Sequence, residues 1–163
     1  MKTDYPITPA IRVLRDNKIE FEPHIFDYVE KGGTRASATS LGIDEHSIIK
    51  TLVFETNENK PLIVLMHGDL QVSTKELARI LKVKTVAPAA LEKANKLTGY
   101  LVGGTSSFGT KTKMPIYVEK TIFDLEKIYI NGGKRGFLVA IEPKVLREVL
   151  PIQEVEVGIS ATN

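Results

Sequence analysis

A glycine-rich stretch at residues 99–110 (GYLVGGTSSFGT) constrains the fold of this chain more than any other segment. It holds four glycines and five hydroxyl-bearing side chains in twelve positions. Because glycine adopts positive φ angles and admits another backbone or a ligand at close range, the stretch predicts a loop whose NH groups point at a binding partner. A second glycine-rich segment, residues 131–136 (NGGKRG), follows a strand-like run at 115–119. Two such loops beside strands predict the rim of a pocket.

The two glycine segments do not have the spacing of familiar phosphate-binding motifs. Neither fits G-x-x-x-x-G-K-[ST] or a G-x-G-x-x-G that opens a helix. Taken singly, each is more often a tight connection in a sheet-rich domain. The net charge of +2 is too small for a general coat against nucleic acid, so any contact with RNA requires a local basic patch. The candidates beside the loops are Lys111, Lys113, Lys134 and Arg135.

The order of predicted elements favours one mixed α+β domain that spans residues 1–163. The 163 residues are enough for a single core, and no repeat, linker or low-complexity segment interrupts them. Helices are predicted at 8–17, 34–41, 74–81, 88–97 and 143–149. Strands are predicted at 19–22, 24–28, 47–55, 62–66, 116–118, 128–130 and 137–141. The tail from 154 to 163 is expected to fray.

Helix termini carry recognisable capping residues. Thr8 followed by a proline opens the first helix, and Gly42 is a candidate C-terminal cap for the second. Residues 73–76 (STKE) have the capping-box spacing. The helix behind that box is predicted to bury Leu77, Ile80 and Leu81.

One cation interrupts the apolar strand predicted at 47–55. In an extended chain Lys50 shares a face with three large apolar side chains, those of Ile48, Leu52 and Phe54. Lysine is seldom fully buried without a partner, so the pattern alone favours a side chain that extends from the strand end to water. The alternative is an ammonium group that points into a pocket, where it binds phosphate or polarises a carbonyl group.

The composition excludes several classes of chemistry. The chain has no cysteine, which removes disulfides, thiolate nucleophiles and sulfur-ligated metals, and fits a cytoplasmic protein. No apolar run approaches the roughly 20 residues of a membrane span, and no charged-then-apolar leader opens the chain. We therefore expect cytoplasmic localisation and no membrane partner.

The remaining polar residues indicate catalysis by positioning. His24, His46 and His67 are well separated, without i, i+4 pairing, so structural roles are favoured over metal ligation. Ser106 and Ser107 have no obvious base nearby in sequence, which gives a serine nucleophile little support. Loop NH groups as an oxyanion hole, a lysine anchor and a water nucleophile would suit an activated ester. Such a site needs no cofactor and no metal.

Five motifs, in order, resemble the YbaK-like family, which includes the Cys-tRNA(Pro) deacylases and the editing domain inserted in bacterial prolyl-tRNA synthetases. They are residues 8–11 (TPAI), 24–27 (HIFD), 49–52 (IKTL), 99–106 (GYLVGGTS) and 132–136 (GGKRG). Together they cover nearly the whole chain. The resemblance implies a mixed, partly closed β-sheet surrounded by helices. It also implies hydrolysis, in trans, of amino acids wrongly esterified to tRNA, with tRNA(Pro) as the expected carrier and prolyl-tRNA synthetase as a candidate partner.

The resemblance assigns roles to individual residues. The lysine of the IKTL motif, Lys50, would anchor the terminal nucleotide or the aminoacyl ester, which reverses the preference from pattern alone. The catalytic set that it implies is Lys50, Gly104 and Asn131, and the backbone of residues 104–107 would orient the ester. The implied substrate-binding positions are Phe26, Tyr28, Gly103, Thr105, Ser106, Ser107, Gly132 and Gly133. The four basic residues beside the loops would contact tRNA phosphates.

Three positions depart from the pattern of the cysteine-specific deacylases. Phe26 replaces a tyrosine, Ser107 replaces the loop proline, and Asn131 replaces a serine. These changes alter the polar lining of the amino-acid pocket, so cysteine as substrate is in question. Tyr28 would share a strand face with Phe26 and could supply the missing phenol group. Alternatively, both aromatic residues belong to the core.

Two other functions fit the same residues. A non-catalytic module that binds tRNA or prolyl-tRNA synthetase is favoured by Phe26 and Asn131, which lack the hydroxyl groups of the deacylases. Retention of Lys50 and of both glycine segments argues against it. A hydrolase or binding protein for other activated esters is the third reading, and activity without tRNA would support it.

Overall fold

The computed structural model describes residues 4–160, and within that range it contains five α-helices and ten β-strands. In chain order they are α1 (Pro9–Asp16), β1 (Glu22–Ile25), α2 (Gly33–Leu41), β2 (Ile48–Thr56), β3 (Pro61–His67), β4 (Leu70–Val72), α3 (Thr74–Leu81), β5 (Val86–Pro88), α4 (Leu91–Thr98), β6 (Ile116–Glu119), β7 (Ile128–Lys134), β8 (Phe137–Ile141), α5 (Lys144–Val149), β9 (Ile152–Val155) and β10 (Gly158–Ser160). Short 3-10 helices lie at Glu45–Ser47 and Lys120–Asp124. The predicted mixed α+β class is confirmed.

Eight strands form one mixed sheet in the order β1-β8-β7-β2-β3-β6-β9, with β5 paired to the end of β2. The start of β2 pairs parallel to β7, and most of its length pairs antiparallel to β3. A separate two-stranded sheet joins β4 to β10. β3 lies inside the large sheet and is buried at residues 62–66, as its continuous apolar run predicts.

The two faces of the large sheet contribute to two separate apolar clusters. Ile49 and Ile130 belong to the larger cluster, which includes residues of α1 and α5. Phe54 and Val64 belong to the smaller cluster, which includes residues of α3. Because side chains alternate between faces along a strand, Lys50 lies on the face opposite to Ile49. The lysine is therefore kept out of the larger core.

The capping residues act as the sequence predicts. The Thr8 hydroxyl oxygen accepts a hydrogen bond from the Ile11 NH at 3.1 Å, and Ser73 caps α3 in the same way. Gly42 ends α2 in the left-handed conformation, with φ of 66°. Leu77 is fully buried on α3, but the prediction for Ile80 was wrong, because its side chain is 37% exposed. None of the helices between residues 4 and 160 combines the length and apolar composition that crossing a membrane requires.

Residues 19–28 form one short strand rather than the two that were predicted. β1 runs through Pro23 and pairs with β8 at the edge of the sheet. A proline is tolerated there because its missing NH faces the open side of an edge strand. Residues 26–28 lie beyond the strand, so the proposed shared strand face of Phe26 and Tyr28 is wrong.

Other boundaries differ because long-range pairing overrides the local pattern. The helix predicted from residue 88 begins at Leu91, since Val86–Pro88 pairs with β2 as β5. The tail is ordered as β9 and β10 up to Ser160, paired with β6 and β4, so the prediction of fraying was wrong for that part. Residues 161–163 of the predicted tail lie outside the described range. β7 continues to Lys134, so the second glycine segment is a strand end and a tight turn.

Candidate functional site

The parallel β2–β7 pair places Lys50 and Asn131 on one face of the sheet. Ile49 pairs with Ile130, and both belong to the larger core cluster. The residues that follow them, Lys50 and Asn131, therefore leave on the opposite face. Asn131 pairs with Leu138 of β8, which in turn pairs with His24 of β1. The predicted catalytic lysine and asparagine thus lie on neighbouring strands, in a row that continues to β1.

Asn131 ties the end of β7 to the first glycine loop. Its Nδ2 donates to the Gly103 carbonyl at 3.1 Å. Its Oδ1 accepts from the NH groups of Gly133 at 2.7 Å and Lys134 at 3.1 Å. A register irregularity in the β7–β8 pair between Asn131 and Lys134 accompanies these bonds. The side chain is therefore engaged in joining the two glycine segments.

The two segments pack too closely for side chains at Gly103 and Gly104. A Cβ at Gly104 would lie 2.6 Å from the backbone nitrogen of Arg135. At Gly103, where φ is +96°, a Cβ would lie 2.6 Å from Oη of Tyr28. The Gly104 NH donates to the Leu101 carbonyl at 2.8 Å, so it is not a free oxyanion donor as its predicted catalytic role requires.

The three hydroxyl-bearing residues after Gly104 face the interior. Thr105, Ser106 and Ser107 are all buried, with 7%, 0% and 2% exposure. Ser106 Oγ accepts from the Phe108 NH at 3.0 Å, and Ser107 Oγ has no hydrogen-bond partner among the described residues. Any contact of these positions with a substrate would come from their backbone. Their burial also argues against a serine nucleophile.

Gly132 and Gly133 are required by packing beneath two aromatic rings. A Cβ at Gly132 would lie 2.4 Å from Cε2 of Phe137, and one at Gly133 would lie 2.8 Å from Cε1 of Tyr100. Burial raises the pKa of Tyr100 to about 12, and its Oη donates to the Phe108 carbonyl at 2.7 Å. These glycines shape the loop, and the structure gives their predicted substrate contacts no side-chain atom.

Tyr28 and Phe26 flank the β7–β8 turn. The Phe26 NH donates to the Gly136 carbonyl at 3.0 Å. The Tyr28 ring is 37% exposed and lies 5.2 Å from the Arg135 guanidinium carbon. Arg135 Nε in turn donates to the Val102 carbonyl at 3.0 Å. Tyr28 is therefore a rim residue and not a core aromatic, and its phenol group lies against the first glycine loop.

Both glycine segments contribute to one cleft, which confirms the predicted pocket rim. The cleft has a volume of about 320 Å³, and its lining residues are Pro9, Gly99, Tyr100, Leu101, Gly104, Gly133, Lys134 and Arg135. Lys134 and Arg135 are exposed there, while Lys111 and Lys113 are exposed beside the end of α4. A wider groove of about 490 Å³ follows α2 on another surface. Lys50 lines neither of them.

Lys50 is half-buried and held by backbone, unlike a lysine that extends to water. Its Nζ donates to the Leu70 carbonyl at 2.5 Å. Burial lowers the pKa of Lys50, and the carboxylates of Glu45 and Asp69 oppose that shift. No hydrogen bond joins Lys50 to either glycine segment within residues 4–160. The predicted site is thus one sheet face with a charged part and a glycine part.

A histidine pair beside Lys50 is the main feature that the sequence reasoning missed. His46 and His67 stack with ring centroids 3.7 Å apart, although they are far apart in sequence. His46 Nδ1 lies 2.8 Å from Asp69 Oδ1. The available signal was the polar turn that directly follows the apolar strand β3, because an antiparallel partner returns that turn to the start of β2. Across the described range, no group of three or more metal-binding side chains is arranged to hold an ion.

The family follows from a match that spans the site. The model of the aminoacyl-tRNA editing domain matches residues 31–149, which include Lys50 and both glycine segments. The chain belongs to the aminoacyl-tRNA editing domain family. The YbaK-like resemblance of its motifs is thereby confirmed.

Relatives of this editing domain include free-standing proteins and parts of larger enzymes. EbsC of Enterococcus faecalis, provisionally named a Cys-tRNA(Pro)/Cys-tRNA(Cys) deacylase, is 30% identical over 140 residues, which cover 85% of each chain. A proline–tRNA ligase of Thermodesulfovibrio yellowstonii is 32% identical over 134 residues. That match covers 82% of this chain but 21% of the ligase, so it concerns about one fifth of that enzyme.

Solved structures support the same fold. The hypothetical protein APE2540 matches with a TM-score of 0.85 and 21% identity, over 93% of this chain and all of that one. A candidate trans-editing enzyme for prolyl-tRNA synthetase matches with a TM-score of 0.79 and 19% identity, over 95% of this chain and all of that one. At these identities the likeness establishes the architecture of the editing domain.

Proposed function

We propose that this editing domain is a trans-acting deacylase that hydrolyses mischarged tRNA(Pro), with cysteine or another small amino acid as the group removed. The observation that carries the proposal is the half-buried ammonium of Lys50 on the same sheet face as Asn131 and the joined glycine segments. The family match and the similarity to EbsC support it.

The reaction requires stabilisation of negative charge on an ester oxygen. A water oxygen adds to the ester carbonyl carbon, and the carbonyl oxygen becomes an oxyanion. Collapse of this intermediate breaks the bond to the ribose oxygen, which takes a proton and leaves as the tRNA hydroxyl group. The products are a free amino acid and uncharged tRNA. The Lys50 ammonium would stabilise the oxyanion or hold the ester, and its partial burial strengthens that interaction.

Editing is needed because size selection by a proline pocket is weak. A single methylene group changes binding by only roughly 1–3 kcal/mol, so smaller amino acids are mischarged at a measurable rate. In this chain Asn131 is occupied by the glycine segments and Ser107 is buried. Neither replaces the polar groups of the cysteine-specific pattern, so alanine, serine and threonine are tested together with cysteine.

Binding of the tRNA would depend on the exposed cations near the glycine segments. Lys134 and Arg135 line the cleft, and no carboxylate belongs to that lining. Lys111 and Lys113 extend the basic surface past Gly99. We expect these groups to contact acceptor-stem phosphates, so that binding weakens steeply with salt.

The setting of the proposed reaction is the cytoplasm, after a synthetase has released its product. Mischarged tRNA is the proposed partner, and prolyl-tRNA synthetase is a second candidate partner. The similarity to parts of proline–tRNA ligases supports an association of the two activities. Co-purification of the full chain with prolyl-tRNA synthetase, with and without tRNA, tests the second partner.

The alternative is a module of the same fold that binds tRNA or the synthetase without turnover. The full engagement of Asn131 and of the Gly104 NH favours it, because both predicted catalytic groups are then occupied. Salt-sensitive tRNA binding without release of any amino acid would identify such a module. Hydrolysis of a free amino-acid ester without tRNA would instead indicate a hydrolase of other activated esters.

The test is single-turnover deacylation of tRNA(Pro) charged with cysteine, alanine, serine, threonine or proline. The proposal predicts rapid release of at least one non-cognate amino acid and retention of proline. Equal release of all five would show that the pocket does not select. Release of none would leave the binding module as the better account.

A further inference from the structure

The ammonium group of Lys50 depends on the turn that joins β3 to β4. The turn consists of residues 68–69, and the carbonyl of the next residue, Leu70, accepts the hydrogen bond from Lys50 Nζ. Lys50 pairs with Met66 across the sheet, so the turn returns directly over the lysine. The position of the ammonium is therefore set by the position of this turn.

Contacts from neighbouring elements fix the turn. The Gly68 NH donates to the Ile48 carbonyl at 2.6 Å. The Gly68 carbonyl lies 3.1 Å from the Thr34 hydroxyl of α2. His46 Nδ1 lies 2.8 Å from Asp69 Oδ1, and because a carboxylate only accepts, the nitrogen is the donor. Of these contacts, the His46–Asp69 bond is the one nearest in sequence to the Leu70 carbonyl.

His46 is itself positioned from the core. Its ring stacks on His67 with an interplanar angle of 6°, and His67 is fully buried. His67 Nδ1 lies 2.8 Å from the His46 carbonyl oxygen, so this nitrogen carries a hydrogen. In the neutral ring the other nitrogen then accepts from the Thr121 hydroxyl at 2.7 Å. A continuous set of contacts runs from the core through both histidines and Asp69 to the turn.

Charge reinforces this geometry. The carboxylates of Glu45 and Asp69 both favour the charged form of Lys50. Glu45 Oε2 lies 2.7 Å from the Thr34 hydroxyl, which also faces the turn. Two anions are thus held near the ammonium by groups that belong to the same network.

We propose that the His46–Asp69 pair positions the Lys50 ammonium for deacylation by holding the turn whose Leu70 carbonyl binds it. The inference rests on the proposed function of Lys50. His46 and Asp69 act through Lys50, and they are positioning residues. Loss of the pair lets the turn and the ammonium move together, which lowers the rate of ester cleavage and leaves tRNA affinity unchanged.

The matched variants are His46→Ala and His46→Asn. The amide nitrogen of asparagine can take the place of Nδ1 and donate to Asp69, whereas alanine cannot. We expect His46→Ala to lower the single-turnover rate by roughly tenfold to 100-fold, the range reached when a reacting group is misplaced by about 1 Å. His46→Asn should recover most of the rate. In a Lys50→Ala background His46→Ala should have no further effect, and a further loss of similar size would overturn the proposal.

A second readout does not depend on activity. In NMR spectra of the full chain, the hydrogen-bonded Lys50 ammonium should exchange slowly with water, and His46→Ala should accelerate that exchange while His46→Asn preserves it. Unchanged exchange in folded His46→Ala protein would overturn the proposal. If the wild type releases no amino acid from any tRNA while the exchange behaves as expected, the proposed enzymatic function fails but the positioning of Lys50 stands.

Discussion

The two parts of the candidate site use their polar groups in opposite ways. On the glycine side, Asn131 makes its hydrogen bonds to backbone groups of the two glycine segments, and the Gly104 NH is bonded within its own loop. On the lysine side, Lys50 lies among carboxylates and the His46–His67 stack. The first part is neutral and bonded to itself, and the second carries charge.

This difference assigns shape to one part and chemistry to the other. A loop whose NH groups are already bonded contributes mainly the walls of a pocket. A half-buried cation contributes an electric field, which accelerates a reaction that develops negative charge. Changes on the glycine side should therefore alter stability and selectivity, and changes on the lysine side should alter the rate.

The largest contrast is expected from two glycine substitutions of matched severity. A Cβ at Gly104 would lie 2.6 Å from the Arg135 nitrogen, and one at Gly68 would lie 2.7 Å from the Glu45 carbonyl oxygen. Gly104→Ala and Gly68→Ala should each destabilise the fold by about 1–3 kcal/mol through overpacking. Urea unfolding measures both losses. Only Gly68→Ala should also reduce the deacylation rate at saturating tRNA, and equal rates for the two variants would contradict the division.

A smaller effect is expected when the link between the glycine segments is cut. Asn131→Asp keeps an acceptor for the Gly133 and Lys134 NH groups but places a carboxylate oxygen against the Gly103 carbonyl. Loss of that hydrogen bond should cost about 1 kcal/mol of the free energy of unfolding. Asn131→Ser, which restores the residue of the deacylase pattern, is the control for loss of side-chain volume. If Asn131→Asp is as stable as wild type, the link has no structural role.

On the lysine side, stability should depend on pH through His67. Burial lowers the pKa of His67, so the unfolded chain takes up a proton at a higher pH than the folded protein does. The folded state should therefore lose stability as pH falls below about 6.5, the ordinary value for histidine. The charged groups that face this ring are His46, Asp69 and Glu119.

The measurement for His67 is the melting temperature of wild type and His67→Gln between pH 7.5 and pH 5. The variant cannot titrate at this position, so its melting temperature should fall less over the range. The comparison uses the slope, because loss of the buried ring also lowers stability at every pH. Parallel slopes would show that His67 does not titrate differently in the folded and unfolded states.

The smallest effect concerns the basic rim. Replacement of Lys134 and Arg135 by alanine should reduce the slope of log affinity against log salt by about 0.7 for each phosphate contact with single-stranded RNA. Filter binding of tRNA over a salt series measures the slope. Lys60 and Lys84, which flank the β2–β3 turn, provide control substitutions. A slope that changes equally for both pairs would contradict a local patch.

Much of the fold follows from local sequence patterns. Thr8, Ser73 and Gly42 mark helix ends through capping chemistry, which acts within one turn of the chain. The apolar run at residues 62–66 identifies a buried strand for the same reason. The pairing of Val86–Pro88 with β2 and of β10 with β4 could not be predicted, because these contacts join residues far apart in the chain.

The site was predictable only in part. Lys50 and the glycine segments carry family motifs, so they were found. The engagement of Asn131 and the burial of Ser106 depend on atomic contacts that spacing does not encode. The His46–His67 stack forms only when β3 returns beside β2, so two histidines that are separate in sequence become one network.

The central claim is that Lys50 supplies the chemistry, and the most direct measurement is single-turnover deacylation by wild type, Lys50→Ala and Lys50→Met. Methionine retains most of the side-chain volume without the charge. With tRNA(Pro) charged with each small amino acid in turn, the account predicts rapid release of a non-cognate amino acid by wild type. Both variants should be slower by roughly 100- to 1000-fold, the cost of removing one group that stabilises an oxyanion. Wild-type rates in folded Lys50→Met protein would contradict the account.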